Sequence, residues 1–274
     1  MHINGEEKAL GCPTALSELL TQLGYRTAFV AVELNGNIIK QADFGSTNIT
    51  AAEKLAIVSF LEGRCMISKE EIVAALGKGL TQAQLDALHN ARIAVVGLGG
   101  LGSNIAVALT RLGIGQLYLY DFDKVELSNL NRQYYFLDDI GQYKADALVK
   151  HLRQINPYAA LHSQVGKVTQ ENIPALLGDC DIICEALDDA AGKAMLVSTV
   201  LSTWSDKKVI AGSGIAGFGK AEEITSKKIT KNLYLCGDGN SDFHDLPLCG
   251  ARVALCAMQQ ALLAARIILD LEEN

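Results

Sequence analysis

The stretch from residue 92 to residue 121 constrains the fold of this chain more than any other. It reads as an apolar run, "RIAVVG", a glycine-rich turn, "GLGGLG", a helical segment over 101–112 and a second apolar run, "QLYLYD". A strand that is apolar at successive positions is buried on both faces, which is the environment of a parallel sheet covered by helices. Two such strands joined by a helix make a right-handed crossover unit. The alternation continues with a helix over 144–155, a short strand over 180–185, a helix over 189–203 and a strand in "KKVIAGSG". A less regular segment then runs through Pro247, and a long helix over 251–271 closes the chain.

Within the turn, Gly97, Gly99 and Gly102 stand in G-x-G-x-x-G spacing, with Gly100 between them. Residues without a β-carbon allow a tight turn and a close approach of phosphate, and the helix that follows offers unpaired N–H donors at its N-terminus. A glycine-rich turn without a ligand is the bland alternative. The strand–turn–helix context favours a nucleotide and a Rossmann-like α/β domain, without choosing between an adenylate and NAD. Asp121, at the end of the second strand, stands where a ribose hydroxyl is bound in such domains.

The next stretch, "DFDKVELSNLNRQ", is richer than a ribose contact requires. Arg132 offers a planar fork of donors, and Asn129 and Gln133 add neutral ones. Lys144, at the start of a helix, can reach the same phosphates. Each has a structural alternative: Asn129 as a turn cap, Arg132 in a salt bridge, Lys144 in solvent. Asp123 reads as a turn group or a supporting carboxylate. After the strand over 180–185, Asp188 is placed to hold Mg²⁺ beside phosphate oxygens, and Asp189 has the position of a helix N-cap.

Residues 1–64 form a separate pattern. "HINGEEKAL" reads as a hairpin about Asn4-Gly5, and residues 14–23 as a helix with Leu16, Leu19, Leu20 and Leu23 on one face. "FVAVELNGNII" is strand, Asn-Gly turn, strand, and "KLAIVSF" is another strand. This order predicts a small β-grasp domain. Residues 65–90 read as a linker with two helices, the first opened by a Ser68/Glu71 capping box and the second beginning at Thr81.

Composition narrows the functional classes. A chain of 274 residues has room for one large α/β domain and a small companion, and a net charge of -7 argues against a nucleic-acid partner. The seven cysteines are an odd number without the spacing of a secreted disulfide scaffold. No basic segment with an apolar run and cleavage site opens the chain, and the last helix is interrupted by Gln259, Gln260 and Arg266. These features predict a cytoplasmic protein with reduced thiols and no membrane partner.

On "GLGGLGSN" (97–104), "DFDKVELSNLNRQ" (121–133), Lys144 in "GQYKADAL" and "EALDD" (185–189), the chain resembles the ThiF/MoeB adenylyltransferases, relatives of ubiquitin-activating enzymes. The resemblance extends over residues 91–271, the ThiF-like domain being 91–274. It implies ATP along the glycine loop (Gly97, Gly99, Gly100, Gly102), Asp121 on the ribose, Asn129, Arg132, Gln133 and Lys144 around the phosphates, and Asp188 organising Mg²⁺. Arg132, Lys144 and Asp188 are then the catalytic set, acting by alignment and charge neutralisation. The implied reaction adenylates the C-terminal glycine carboxylate of a sulfur carrier.

"NLYLCGD" and "ARVALCAMQQALLAARIIL" look like the shorter, zinc-free branch called family 2. No C-x-x-C pair is present among Cys236, Cys249 and Cys256, so no structural zinc is expected. Cys180 and Cys184 read as core thiols, and Cys236 and Cys249 as packing or surface thiols that could replace a reactive cysteine of relatives. Lys78 or Arg92 could stand in for the arginine that related dimers supply across an interface. Residues 1–64 resemble a ThiS-like carrier, but Gly63 is followed by Arg64 and has no free carboxylate. The expectation is therefore a structural or regulatory N-terminal domain, a separate ThiS-like protein as substrate, a homodimer, and a role in thiamine biosynthesis. The alternatives are a nucleotide-binding regulator without turnover and an NAD-dependent oxidoreductase.

Overall fold

The computed structural model describes residues 1–7, 13–25, 27, 30–50, 53–59 and 67–271. The chain divides into two compact units, Met1–Glu71 and Ile72–Asn274.

The first unit opens with β1 (His2–Ile3) and β2 (Glu6–Glu7), antiparallel about Asn4 and Gly5. Both turn residues have positive φ, 50° and 87°, which an Asn-Gly pair accommodates. The Asn4 side chain then pins the neighbouring strand, accepting the Ile57 N–H at 2.7 Å and donating to its carbonyl at 3.1 Å. β3 (Thr14–Ala15) and α1 (Leu16–Gln22) follow, with Leu16, Leu19 and Leu20 buried. β4 (Val30–Leu34) and β5 (Asn37–Ile39) form the second Asn-Gly hairpin; β6 (Asn48–Ile49) pairs with β3, and β7 (Lys54–Ser59) completes the unit. The main sheet has the order β2-β1-β7-β4-β5, with β1 parallel to β7 and the other pairs antiparallel. This is a β-grasp arrangement, as expected from the sequence. Its core is α1 against Val30, Val32, Leu55 and Ile57. Phe29 and Phe60, part of the expected strands, lie outside the described residues.

Both helices expected between residues 65 and 90 are present. α2 (Lys69–Leu76) has reciprocal Ser68/Glu71 hydrogen bonds at its start, and α3 (Gln82–Asn90) has a Thr81/Gln84 capping box.

The larger unit holds β8 (Arg92–Val96), α4 (Gly100–Arg111), β9 (Gln116–Asp121), α5 (Lys144–Ile155), β10 (Ala160–Val165), α6 (Ile173–Leu177), β11 (Ile182–Glu185), α7 (Ala190–Thr203), β12 (Lys208–Gly212), β13 (Thr225–Lys228), β14 (Leu233–Gly237) and α8 (Gly250–Ile268). The sheet order is β10-β9-β8-β11-β12-β14-β13, parallel except for β13. Alternation along β8 divides the core: Ile93 and Val95 pack with α4, α5 and α8, and Ala94 and Val96 pack with α6 and α7. Chain order reverses between β8 and β11, so their C-terminal ends open a crevice at the switch point.

Several elements escaped the sequence reading. β10 is an exposed edge strand with a mixed sequence, and α6 is a single short helix. The segment read as irregular through Pro247 contains β13 and β14, the latter parallel to β12. α8 is long and apolar enough to cross a membrane by length and composition. In this fold its Val253, Cys256, Ala257, Gln260, Ala261 and Ala264 are buried, and it packs along α4.

Candidate nucleotide-binding site

The glycine loop sits in the crevice with little freedom. Gly97 has φ 89°, and a β-carbon there would stand 2.6 Å from the Ala186 carbonyl oxygen. On Gly102 it would stand 1.8 Å from the Gly97 carbonyl oxygen, so helix and loop touch through bare backbone. Gly99 is different: the nearest atom to its added β-carbon is Gln133 Nε2, at 3.7 Å. That side of the loop is open apart from this one atom. The nearest atoms on Gly100 belong to Val253 and to the Arg132 side chain.

Ser103 and Asn104, to which the sequence reading assigned no role, fasten the loop. Ser103 Oγ donates to the Gly99 carbonyl at 2.6 Å and accepts the Tyr134 N–H at 2.9 Å. Asn104 Nδ2 donates to the Gly100 carbonyl at 2.7 Å and to the Arg132 carbonyl at 3.1 Å. Helix α4 thus carries the backbone of residues 132–134 to the glycine loop.

Asp121 is buried, and its carboxylate accepts the Leu98 N–H at 2.6 Å and the Asp123 N–H at 2.7 Å. Burial raises its pKa, against those amides and the Lys144 charge. One carboxylate therefore ties the glycine loop to the end of β9, and a ribose hydroxyl there would share oxygens already in use. Tyr135 Oη reaches the Leu98 carbonyl at 2.8 Å from below.

Of the groups expected around phosphates, Arg132 and Gln133 lie beside the glycine loop and Lys144 lies on Asp123. Lys144 is buried with Nζ 2.8 Å from Asp123 Oδ2, and its N–H donates to the Asp123 carbonyl at 2.9 Å. Arg132 makes no salt bridge among the described residues. Its Nη1 donates to the Ser128 carbonyl at 3.1 Å and to Asn131 Oδ1 at 2.7 Å, leaving the other guanidinium nitrogens unengaged by the described residues. Asn129 supports the turn, with Oδ1 accepting the Glu126 N–H at 3.1 Å. Gln133 is buried with Oε1 unpartnered, while Nε2 faces the open side of Gly99.

Asp188 is exposed in the turn after β11, and Asp189 caps α7 by accepting the Ala191 and Gly192 N–H groups, both at 3.0 Å. No three His, Cys, Asp or Glu side chains gather as a metal-holding group among the described residues. Magnesium asks for less: one carboxylate plus phosphate oxygens and water. Asp188 meets that demand, and the glycine cradle, the open Gly99 side and the orphaned Gln133 amide suit a nucleotide.

The other singled-out groups lie elsewhere. Arg92 forms a pair of bonds with Asp181, 2.8 and 3.2 Å, on the surface. Cys180, Cys184, Cys236 and Cys256 are buried, and Cys249 is half-buried. Burial pushes the Cys180 and Cys256 thiols up to about 12 and raises Cys184 and Cys236 as well. Cys12, Cys65 and Gly63 lie outside the described residues.

The profile of the ThiF family matches residues 74–274. This chain belongs to the ThiF family. A second match, to the ThiS family, covers residues 1–63. Ubiquitin-like modifier-activating enzyme 5 of Arabidopsis thaliana is 49% identical over 77 residues, 28% of this chain and 18% of that protein. Adenylyltransferase and sulfurtransferase MOCS3 of Anopheles gambiae is 28% identical over 218 residues, 75% of this chain and 46% of that protein. The chain thus spans less than half the length of these curated relatives. Among solved structures, the E. coli tRNA N6-threonylcarbamoyladenosine dehydratase TcdA, in complex with ATP, superposes with TM-score 0.68 at 21% identity, covering 74% of this chain and 97% of that one. The E. coli MccB structure with ATP gives TM-score 0.54 at 20% identity, covering 69% and 58%. At these identities the likeness speaks for the ThiF fold.

The ThiS match corrects one expectation. The ThiS-like unit is residues 1–63 of this chain, not a separate protein partner. The peptide bond after Gly63 concerns when a glycine carboxylate is available; it says nothing about which polypeptide carries the domain.

Proposed function

We propose that the ThiF-family unit of this chain binds ATP with Mg²⁺ and transfers AMP to a carboxylate. A carboxylate oxygen attacks the α-phosphorus, the bond from that phosphorus to the bridging oxygen breaks, and pyrophosphate leaves with the electron pair. The product is an acyl-adenylate. The observation that supports the reading is the setting of the glycine loop: Gln133 Nε2 lies beside Gly99, the Arg132 side chain beside Gly100, and Lys144 on Asp123, two residues beyond the Asp121 that holds the loop. Bound Mg²⁺ would neutralise charge on the phosphates, with Asp188 as its ligand. Arg132 and Lys144 would align the phosphate chain, and Asp121 would orient the ribose. An NAD-dependent oxidoreductase would use the glycines and Asp121 and leave those donors without work.

The acceptor carboxylate belongs to the ThiS-like domain of the same chain. Such a carboxylate arises at Gly63 once the peptide bond to Arg64 is hydrolysed, and sulfur transfer towards the thiazole of thiamine is the pathway in keeping with a ThiS-type domain. The uncut junction favours a second reading, an ATP-binding regulator without turnover.

ATP–pyrophosphate exchange, run together with intact-mass analysis, separates these readings. Exchange that appears only with a chain ending at Gly63, and an AMP adduct on that fragment, supports adenylation. Tight ATP binding by an uncut chain that never exchanges supports the regulator. Arg132→Ala and Asp188→Ala should each lower exchange by about 10²-fold; wild-type rates in both would defeat the assignments.

A further inference from the structure

The turn that presents Asp188 rests on an ion pair between a buried carboxylate and an ammonium side chain that is 28% exposed. Glu185, the last residue of β11, has no solvent exposure. Lys193, on the first turns of α7, places Nζ 3.1 and 3.0 Å from its two carboxylate oxygens. The same ammonium donates to the Gly212 carbonyl, at the end of β12, at 3.3 Å. Glu185 Oε1 also accepts the Leu187 N–H at 2.7 Å.

One carboxylate therefore holds the backbone of the residue before Asp188, and one ammonium ties that carboxylate to the next strand. On the other side, Asp189 is committed to the cap of α7. The turn is anchored at Leu187 and at Asp189, and the exposed Asp188 lies between. It is also a wall of the glycine loop: the added β-carbon of Gly97 would stand 2.6 Å from the Ala186 carbonyl oxygen and 3.0 Å from the Leu187 nitrogen. Burying the Glu185 carboxylate costs several kcal/mol before the ammonium attracts it, so an apolar pair would serve stability about as well. An apolar pair cannot hold the Leu187 N–H and the Gly212 carbonyl.

We infer that Glu185 and Lys193 are positioning residues for Mg²⁺: they set the Asp188 carboxylate where a cation on the ATP phosphates meets it. Neither touches the ligand; both act through Leu187. The inference rests on the proposed ATP site and on Asp188 as the Mg²⁺ ligand.

The test is calorimetry of ATP binding by the full chain, with EDTA and then with Mg²⁺. The double variant Glu185→Met/Lys193→Met removes both charges at similar volume, and Lys193→Arg keeps charge and donors. In the wild type, Mg²⁺ is expected to tighten ATP binding. The double variant, folded by circular dichroism, is expected to bind ATP in EDTA as the wild type does, with the Mg²⁺-dependent gain reduced on the order of tenfold. Asp188→Asn should behave alike, and Lys193→Arg should restore the gain. Should the double variant not fold, Lys193→Gln is read the same way.

A full Mg²⁺ gain in the folded double variant overturns the inference. So does equal loss of binding in EDTA, which marks a general structural role, and so does a wild type without any gain. A wild type that shows the gain but no pyrophosphate exchange sinks the proposed reaction, while the positioning role is still decided by binding.

Discussion

Lys144 and Asp123 form a salt bridge with Nζ 2.8 Å from Oδ2, the lysine side chain only 8% exposed and the aspartate 44%. An ammonium group carries three donors, and the contact with Asp123 uses one of them, which leaves donors for an anion. Asp123, read from the sequence as a turn group or supporting carboxylate, is the partner that keeps Lys144 in place.

Lys144→Ala is accordingly expected to lower kcat/KM for ATP–pyrophosphate exchange by about 10²-fold. Asp123→Asn keeps the shape and removes the charge, so it should cost about 1 kcal/mol of stability. Exchange kinetics and denaturant unfolding of the two variants check this. The assignment fails if Lys144→Ala exchanges at the wild-type rate.

Gly99 and Gly102 are glycines for different reasons, and alanine tells them apart. Gly102→Ala drives a methyl to 1.8 Å from the Gly97 carbonyl oxygen, so stability should fall by several kcal/mol, on the order of 3. Gly99→Ala meets only Gln133 Nε2 at 3.7 Å, so the melting temperature should stay near that of the wild type. Its methyl fills the space where phosphate approaches, and ATP affinity should drop. Melting curves with and without ATP check the pair; wild-type ATP affinity in Gly99→Ala would contradict the placement of the phosphates.

Arg252, buried at the start of α8, bonds Asp238 at 2.7 Å and Glu223 at 3.2 Å. Burial alone would raise the Asp238 pKa, but the Ser241 and Asn240 amides, the Ser241 hydroxyl and the Arg252 guanidinium together hold it well below the usual carboxylate range. A depressed native pKa stabilises the fold at pH values above the unfolded-state value of about 4, and that contribution is lost as pH falls through the native value. Arg252→Leu should therefore cost about 3 kcal/mol near neutral pH, with the difference from wild type shrinking below about pH 4. Unfolding titrations at a series of pH values measure it. A difference that grows on acidification would contradict the sign.

Burial keeps the Cys180, Cys184, Cys236 and Cys256 thiols protonated and out of reach. Native protein treated with a thiol reagent should leave these four unmodified until it unfolds, while half-buried Cys249 labels first among the described cysteines. Mass mapping of the labelled peptides decides it, and early modification of Cys184 would show that the sheet opens more readily than its packing implies.

Much of this fold can be read locally. β8 and β9 announce themselves because a strand buried on both faces has no polar side to interrupt it, and α5 occupies the residues its periodicity predicts. β10 does not, since an exposed edge strand needs no apolar pattern. β13 and β14 were hidden for a related reason: the strand signal of "LYLCG" is short and sits inside a polar loop region, and only pairing with β12 makes it a sheet member. In the site, the glycines and Asp121 were legible because each answers to a backbone position within one strand–turn–helix unit. That Asp121 spends both oxygens on backbone amides was not, and neither was the fastening role of Ser103 and Asn104.

The sequence by itself determined the elements whose cause lies within a few residues: the Asn-Gly hairpins, the capped helices, the glycine turn and the acid at the end of β9. Tertiary structure alone decided which charges meet. Lys193 finds Glu185 because α7 folds back over β11, and Arg252 finds Asp238 because the start of α8 returns beside the end of β14. Local propensity acts through a residue's own backbone and near neighbours. An ion pair with a buried member depends on that burial and on a partner brought from another element, and neither exists until the sheet has assembled.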